Sequence, residues 1–594
     1  MSTEPQARTL RQVLIHSGKV FADCPALSTF GDEPLTFSDL VEEVAELSAA
    51  LAEGGISPGD RVAILGDSSP NWGIAYFAIT SMGAVAVPIL TEFHADAVQH
   101  ILRHSESKLI FASRRLLNKI EDSSGLSKLK VWSLETFEPV ASAGAMEALF
   151  QDMKKASIRE WRRFKEKARK EMQGMLEGAD PGEDASFWQR MKAKGLEYLN
   201  ADQASGPKED DLAAIIYTSG TTGASKGVML SHGNIVSNVQ RTLSLVTINT
   251  KDRMLSILPL SHAYECTLGL VLPVSVGAHV CYLDKPPTAR AMLPALAEFK
   301  PTAVLSVPLV IEKIYKGNIL PKFTGSKALR AAYAVPFIRK QLHRLAGKQL
   351  MATFGGKLTL FCIGGAPLAP EVDRFLEDAR FPYAIGYGLT ESAPLVSGAA
   401  TGKTRLTSVG PVIPGTEVRI DDPDPRTGEG EIVTRSPSVM LGYYKDKEAT
   451  EAVLSTDGWL RTGDLGHFDS DGYLYIKGRI KNMILGANGE NIYPEEVESI
   501  ILQSPHVLEC LVYMLSGRLT ARVHLDATRL DQEFGVIPDT DRAQKVENLL
   551  ENLRATVNVK VSTFARLHKI IEQPEPFEKT PTQKIKRYLY VDPA

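Results

Sequence analysis

Tyr217 to Gly227 reads YTSGTTGASKG, and this stretch decides how the rest of the chain is interpreted. The apolar run Leu212 to Ile216 precedes it, and Val228 and Met229 follow it. Glycines permit tight turns and close approach of a ligand to the backbone, and successive N–H groups can surround an anion. Lys226 adds a positive charge that can neutralise phosphate. The pattern predicts a phosphate-binding loop carried between two buried strands.

The loop differs from two simpler alternatives. A flexible Gly/Ser/Thr linker has this composition, but linkers are not normally flanked by apolar strand-like runs on both sides. A Walker loop needs Gly, four residues and then Gly-Lys-Ser/Thr, whereas here Ser225 stands at the second glycine position and Gly227 follows Lys226. The loop resembles instead the phosphate loop of the adenylate-forming family, which includes acyl-CoA synthetases, luciferases and the adenylation domains of peptide synthetases. The resemblance implies ATP-binding roles for Thr218, Ser219, Gly220, Thr221, Thr222, Gly223, Ser225 and Lys226.

Composition favours a soluble enzyme of several domains or subdomains. The chain has 594 residues, 44% of them hydrophobic, and a net charge of −4, so no general attraction to nucleic acid is expected. Five scattered cysteines without a Cys-x-x-Cys pair argue against a disulfide framework and against a zinc site. The first ten residues lack the apolar core of a signal peptide, and the longest charge-free apolar run, Cys266 to Leu283, predicts a buried helix followed by a strand. We expect a cytoplasmic protein.

Alternating helical and strand patterns predict the fold. Within residues 1–150, helices are expected at Phe37 to Gly54 and Asn71 to Met82, and strands at Arg61 to Leu65 and Ala84 to Ile89. Such alternation is typical of parallel α/β layers. The segment from about residue 482 suits a small α+β domain. The predicted class is therefore α/β, with a large N-terminal domain of layered α/β subdomains (1–480) and a smaller mobile α+β C-terminal domain (481–594).

A basic insert at about 150–207 leaves two interpretations open. Lys154 to Lys170 holds nine Lys/Arg and two acidic residues, with apolar residues three or four apart. A basic amphipathic helix of this kind can lie on an anionic membrane. A solvated helix that packs one apolar stripe on its own domain explains the same pattern, and a charge run alone favours that second interpretation.

Two glycine-containing motifs predict the nucleotide site. The strand Leu358 to Ile363 ends on Gly364, Gly365 and Ala366, and α/β folds admit ligands at such strand ends. This stretch resembles the family's adenine-binding turn, and the resemblance implies that Gly365 and Ala366 bind ATP. In Gly386 to Ser392 (GYGLTES), Tyr387 can stack on a base, Thr390 can bond a phosphate and Glu391 can hold Mg²⁺. Thr390 and Glu391 are expected to be catalytic.

A second set of motifs extends the resemblance toward the C-terminus. Asp464 offers a carboxylate to the ribose hydroxyls, and Arg479 matches a family arginine near the ribose and phosphate. Lys481 falls at the family's interdomain hinge, although Asn482 replaces the usual carboxylate after it. Gly489, Glu490 and Asn491 match the segment that lies against the pantetheine channel.

The last motif supplies the expected catalytic lysine. In KTPTQKIKR, Lys584 stands where the family has a lysine on a mobile loop, and Gln583 replaces the glycine that many members have before it. A basic C-terminal tail is the simpler explanation of this segment. Its position about 100 residues beyond the hinge favours the family role.

One further motif indicates the class of substrate. Leu258 to Glu265 reads LPLSHAYE, which matches the PL-x-H-x-x-E pattern of long-chain acyl-CoA synthetases and implies that His262 and Glu265 line the pocket. A lone histidine among apolar residues is otherwise more often a core residue.

The whole resemblance implies an ATP-dependent ligase that uses ATP, Mg²⁺ and coenzyme A to convert a long-chain fatty acid into acyl-CoA. Four alternatives stay open: transfer of the acyl group to a carrier protein, another carboxylic acid as substrate, a catalytically dead lipid-binding homologue, and an ordinary P-loop ATPase. The expected location is cytoplasmic, possible peripheral contact with an anionic membrane stays open, and the sequence does not indicate the oligomeric state.

Overall fold

The computed structural model describes residues 7–120, 128–140, 191–197, 199, 206–218, 225–485, 491–535, 539–580 and 584–591. Nearly all of the basic insert, including the helix expected at 154–170, lies outside these residues. The described chain builds layered α/β sheets followed by a smaller α+β unit, as the sequence predicts.

The phosphate-loop strands belong to a sheet of seven described strands. In spatial order these are Gly442–Tyr443, Lys226–Ser231, Leu212–Thr218, Val85–Ile89, Arg61–Leu65, Leu109–Ala112 and Lys130–Ser133. The five strands from Leu212–Thr218 onward pair in parallel, while the first two pair antiparallel. The strands expected in the first 150 residues are thus confirmed as parallel.

A second sheet of eight described strands lies beside it. Its order is Leu395–Ala399, Tyr383–Gly388, Leu360–Ile363, Ala303–Ser306, Arg253–Ser256, His279–Tyr282, Pro25–Thr29 and Leu35–Thr36. The inner strands are parallel. The carboxyl ends of Leu360–Ile363 and Tyr383–Gly388 therefore deliver the two glycine motifs to the same edge of the sheet.

Three smaller sheets complete the described chain. Five antiparallel strands follow the order Gly410–Pro411, Tyr473–Arg479, Leu460–Phe468, Gly430–Arg435 and Glu417–Asp421. Beyond them, Ile484–Leu485 pairs with Asn491–Ile492, and Val507–Leu515 forms a hairpin with Arg518–Leu525, which in turn pairs in parallel with Lys569–Glu572. This last part has a hydrophobic core of its own, which contains Val497, Ile501 and Val523.

The helices connect and cover these sheets. The α-helices described are Leu10–Val20, Phe37–Glu53, Pro70–Ser81, Ala95–Ser105, His232–Thr242, Ala263–Glu265, Leu272–Ser275, Ala289–Phe299, Pro308–Ile314, Leu320–Thr324, Lys327–Ala334, Pro336–Thr353, Pro370–Ala379, Lys447–Val453, Pro494–Ile501, Ala527–Phe534 and Asp539–Lys560. Two π-helical segments, Cys266–Val271 and Tyr315–Ile319, interrupt neighbouring helices. Among the described residues no helix is long and apolar enough to cross a membrane.

The helix Pro70–Ser81 lies at the centre of the largest hydrophobic core. The Ser69 hydroxyl accepts a hydrogen bond from the Trp72 N–H at 3.2 Å and caps the helix, and Pro70 suits its first turn. Trp72, Tyr76 and Phe77 are fully buried. A helix that is apolar on all sides must be covered on all sides, which explains why it packs inside the layers.

Candidate active site

The phosphate loop joins two antiparallel strands in which Thr218 pairs with Lys226. Ser219, Gly220, Thr221, Thr222 and Gly223 lie outside the described residues, while Thr218, Ser225 and Lys226 are half-buried at the ends of the strands. The Lys226 ammonium lies 4.7 Å from the centre of the Tyr443 ring. The Lys226 end of the loop therefore faces an aromatic side chain.

Tyr443 links the loop to the predicted metal ligand. Its hydroxyl donates a hydrogen bond to Glu391 Oε1 at 2.9 Å, and the Glu391 carbonyl accepts the Met440 N–H at 2.8 Å. Glu391 and Thr390 stand on the short 3₁₀ turn Thr390–Ser392, directly after the strand that carries Tyr387. Glu391 is held at two points and remains half-exposed.

Asp464 is the buried anion of the site, with a residue exposure of 4%. Its Oδ2 accepts the Tyr387 hydroxyl at 2.7 Å, and its Oδ1 pairs with Arg479 Nε at 2.7 Å. Burial raises the pKa of the Asp464 carboxyl, and the Arg479 charge opposes that rise. Each carboxylate oxygen has a second lone pair, so the pair with Arg479 leaves acceptor capacity for hydroxyl groups.

Lys584 comes to this cluster from the C-terminal part of the chain. Surrounding protein atoms lower the pKa of its ammonium, Arg479 lowers it further, and Asp464 and Glu391 act in the opposite direction. The residue remains accessible to solvent, so its neighbours do not exclude water from it. Three charged groups that are distant from it in sequence therefore act electrostatically on one lysine.

Two ion pairs brace the segment that carries Lys584. Lys579 pairs with Glu509 at 2.5 Å, and Arg587 pairs with Glu498 at 2.6 Å. Glu498 is half-buried, and its Oε1 also accepts the Val512 N–H at 2.7 Å. The segment is thus anchored to the helix Pro494–Ile501 and the strand Val507–Leu515.

His262 and Glu265 occupy different environments. His262 is half-buried, and burial together with the charge of Lys584 lowers its pKa to about 4, so the imidazole is neutral at physiological pH. Glu265 is 1% exposed. Its Oε1 accepts the Ser256 hydroxyl at 2.5 Å, and burial raises its pKa to about 8. Glu265 is thus a neutral carboxyl group within the core next to the histidine.

The Gly365 turn follows the strand Leu360–Ile363. Gly365 has φ +86°, a conformation that glycine adopts without strain, and Gly365 and Ala366 are exposed beyond the strand end. Gly388 allows a second close contact, between its own backbone and that of Pro394, because a Cβ there would lie 1.9 Å from the Pro394 carbonyl oxygen. The Gly365 turn therefore leaves its backbone open at the sheet edge, whereas the space at Gly388 is filled by the Pro394 backbone.

The predicted hinge lies on a short connection between the two units. Lys481 is exposed in the 3₁₀ turn Ile480–Asn482. The Asn482 amide donates to Glu495 Oε1 at 2.6 Å, and Lys477 pairs with Glu496 at 3.0 Å. Gly489 and Glu490 lie outside the described residues, and the Asn491 backbone pairs with Leu485.

Two contributors to the site do not follow from the sequence. Tyr443 contacts Glu391 from 52 positions away, and its only sequence signal is the aromatic pair after Gly442. The Asn482–Glu495 hydrogen bond explains the unusual asparagine after the hinge, because an amide can donate to a carboxylate that a second carboxylate would repel.

Comparison with known proteins agrees with this geometry. The model of the AMP-binding enzyme family matches residues 14–444. The chain is 30% identical over 557 residues to the peroxisomal long chain acyl-CoA synthetase 6 of Arabidopsis thaliana, an alignment that covers 88% of this chain and 74% of the relative. It is 27% identical over 552 residues to the long-chain-fatty-acid–CoA ligase 1 of Saccharomyces cerevisiae, covering 87% and 76%. This chain belongs to the AMP-binding enzyme family, the adenylate-forming enzymes.

Solved structures share the fold over nearly the whole chain. The anthranilate CoA ligase AuaEII in complex with anthranoyl-AMP superimposes with a TM-score of 0.73 at 22% identity, covering 98% of this chain and 97% of that one. ATP-bound MatB from Rhodopseudomonas palustris gives a TM-score of 0.70 at 22% identity, covering 98% of each. The predicted α/β class with a smaller C-terminal unit is confirmed.

Proposed function

We propose that this protein is an AMP-forming ligase that activates a long-chain fatty acid as acyl-adenylate and transfers the acyl group to coenzyme A. The observation that carries the proposal is the convergence of Glu391, Asp464 and Arg479 on Lys584. An adenylation site needs a mobile cation, a metal-binding carboxylate and a ribose acceptor in one place. Relatives named as long-chain acyl-CoA synthetases support the substrate class.

In the first half-reaction, a fatty-acid carboxylate oxygen attacks the α-phosphorus of ATP, and the bond to pyrophosphate breaks. The products are acyl-adenylate and pyrophosphate. Negative charge is spread over phosphate oxygens in such a transition state, so fixed cations and positioning dominate catalysis. Lys584 would bridge the carboxylate and the α-phosphate, with Thr390 as a hydroxyl donor beside them.

Nucleotide binding is assigned to the rest of the cluster. Asp464 would accept the ribose hydroxyls, the Tyr387 ring would stack on the base, and the turn at Gly365 and Ala366 would border the adenine. Arg479 would hold Asp464 and face the phosphates. The β- and γ-phosphates would lie in the loop Thr218 to Lys226, where the proposed binding residues are Thr218, Ser219, Gly220, Thr221, Thr222, Gly223, Ser225 and Lys226.

The residues around Glu391 fit Mg²⁺. Tyr443 occupies Oε1 of Glu391, no other hydrogen-bond partner is described for Oε2, and the Thr390 hydroxyl is adjacent in sequence. No cluster of three His, Cys, Asp or Glu residues occurs in the described part of the chain, and Mg²⁺ is typically held by one or two carboxylates plus substrate phosphates. Bound there, Mg²⁺ would neutralise phosphate charge.

The acyl pocket would begin at His262. A neutral imidazole does not attract the fatty-acid carboxylate into an ion pair, so it leaves that group to Lys584. Glu265 would support this wall as an uncharged group. Burial of a protonated carboxyl is far less costly than burial of a charged one, which suits a pocket for an apolar chain.

Transfer to coenzyme A requires a different arrangement. We propose a boundary between residues 1–480 and 481–594, with rotation about Lys481. The rotation would withdraw Lys584 and bring Gly489, Glu490 and Asn491 to the site, where the thiolate of coenzyme A displaces AMP from the acyl-adenylate. Alternation of this kind lets one site serve two half-reactions. We place the enzyme in the cytoplasm.

The test is a panel of acids from acetate to oleate. ATP–pyrophosphate exchange that rises with chain length supports activation of long-chain fatty acids. Exchange that is strongest with another acid of the panel would show that the substrate is that acid instead. Fatty-acid-independent ATP hydrolysis, or no exchange with any acid, refutes the proposal. Addition of coenzyme A separates the two acceptors, because a carrier-protein ligase forms acyl-adenylate but makes no thioester when coenzyme A is supplied.

A further inference from the structure

The segment between the strands Ala303–Ser306 and Leu360–Ile363 has an unusual charge distribution. From Lys313 to Lys357 it contains ten Lys/Arg and no Asp or Glu, in a chain whose net charge is −4. Its outer part is the basic helical hairpin, defined here as the helices Lys327–Ala334 and Pro336–Thr353. The catalytic assignments above do not use this hairpin.

The second helix of the hairpin has two distinct faces. His343, Ala346, Gly347 and Leu350 are buried at helical spacing and form the inner face. Phe337, Gln341, Leu345 and Lys348 fall on the opposite side. Phe337 is 73% exposed and Leu345 is 62% exposed. Large apolar side chains on an outer face are costly in water unless another surface covers them.

The first helix adds to the same exposed surface. It contains no buried residue, and Leu329 at its centre is exposed together with Lys327 and Arg330. Lys340 and Lys348 of the second helix are also exposed. Within the part of the chain that the structure describes, none of these four basic side chains forms an ion pair with a carboxylate.

The hairpin is held rigidly from beneath. The Tyr333 hydroxyl lies 2.8 Å from His343 Nε2 and 3.0 Å from the Tyr315 hydroxyl, and His343 Nδ1 lies 3.0 Å from Asp378 Oδ2. The Tyr333 ring stacks on Phe323 with centroids 5.4 Å apart. The exposed apolar residues therefore project from a fixed scaffold, and folding back onto the core would break this network.

We infer that the basic helical hairpin is a docking surface for an anionic phospholipid bilayer. A bilayer interface accepts apolar side chains such as Phe337 and Leu345 below the headgroups, while the surrounding lysines and arginines attract anionic lipids. The absence of acidic residues from Lys313 to Lys357 is the charge complementarity that such a surface needs. The inference concerns a surface outside the catalytic cluster and is measured without turnover.

The experiment is co-sedimentation of the full chain with vesicles. One set contains phosphatidylcholine alone, and the other contains equal parts of phosphatidylcholine and phosphatidylglycerol. The wild-type protein is expected to bind the anionic vesicles more tightly and to lose affinity as salt rises, because about 0.1 M salt screens surface charge beyond about 10 Å. No binding to anionic vesicles, or equal binding to both sets, overturns the inference.

Two hairpin variants separate the charge from the apolar contribution. The charge variant replaces four residues: Lys327→Gln, Arg330→Gln, Lys340→Gln and Lys348→Gln. Each basic residue near an anionic surface contributes about fivefold in affinity, so the four substitutions together are expected to lower the affinity roughly 600-fold. The apolar variant, Phe337→Ser with Leu345→Ser, should lose at least about tenfold.

Matched controls change equally exposed residues elsewhere. Val559→Ser removes an apolar side chain that is 86% exposed on the helix Asp539–Lys560. The charge control carries Lys194→Gln, Lys285→Gln, Arg426→Gln and Lys447→Gln. Both controls should bind like wild type. Equal losses in the controls and the hairpin variants would show general surface attraction and overturn the assignment.

Two further readouts keep the outcomes distinct. Unchanged melting temperature and unchanged pyrophosphate exchange with octanoate show that the hairpin variants are folded. If vesicle binding is unchanged in these variants while their molar mass in solution falls, the hairpin contacts a second copy of the chain and the lipid assignment is wrong. A failure of the proposed ligase activity appears in the exchange assay and leaves the vesicle result intact.

Discussion

Replacement of Lys584 by alanine tests the division of labour in the site. The charge of this lysine acts on Glu391, Asp464 and Arg479 within one cluster. Removal of one preorganised electrostatic partner of a transition state costs on the order of 10²–10³-fold in rate. Because Lys584 remains accessible to solvent, screening favours the lower end, and we expect a loss on the order of 10²-fold in adenylation.

The assay compares the two half-reactions separately. ATP–pyrophosphate exchange with fatty acid reports adenylation, and thioester formation from supplied acyl-adenylate and coenzyme A reports transfer. The Lys584→Ala variant should lose the first and keep most of the second. Lys586→Ala is the matched control: it lies two positions away and pairs with the exposed Glu578 at 3.3 Å, and such a surface pair contributes little.

The pH profile adds a check on charge. Burial and Arg479 lower the pKa of Lys584, so the cation is lost as pH rises through that lowered value and adenylation should fall on the alkaline side. Lys584→Arg keeps a charge at high pH and should move this fall to higher pH. An equal loss in both half-reactions for Lys584→Ala, or an unchanged alkaline limb in Lys584→Arg, would refute the assignment of a mobile catalytic lysine.

Three other variants test separate parts of the site. Lys481→Pro fixes φ near −65° and should preserve pyrophosphate exchange while acyl-adenylate accumulates without acyl-CoA; if only Gly478→Pro has this effect, the pivot is at the glycine. Burial raises the pKa of Glu265 to about 8. The folded state therefore retains a proton that the unfolded state releases above about pH 4.3. The free energy of unfolding of the wild-type protein should accordingly fall from pH 5 to pH 8. Glu265→Gln removes that dependence, and its melting temperature relative to wild type should rise by at least about 2 °C over this range; a constant difference contradicts the neutral carboxyl. Tyr443→Phe removes the hydroxyl that holds Glu391, a contribution of about 1 kcal/mol, and should raise the Mg²⁺ concentration for half-maximal exchange about fivefold, whereas Tyr444→Phe should not change it.

Local patterns in the sequence determined the elements and several motifs. The strand Arg61–Leu65 matches its expected bounds, and the helix Pro70–Ser81 lies within one residue of expectation, because apolar runs and caps act over a few neighbouring residues. The phosphate-loop stretch was also correctly predicted to join two buried strands. Its chemistry is local, since glycines, hydroxyls and a lysine need only proximity along the chain.

Only the tertiary structure decided which distant groups meet. The hydrogen bonds from Tyr443 to Glu391 and from Tyr387 to Asp464 depend on how separate sheets pack. The same packing makes Glu265 a buried neutral carboxyl, although its motif alone predicts a pocket residue. The exposure of Phe337 likewise depends on which helix face the core covers. Sequence periodicity fixes the spacing of side chains on an element, but the burial and the electric field at each one come from elements that are far away along the chain.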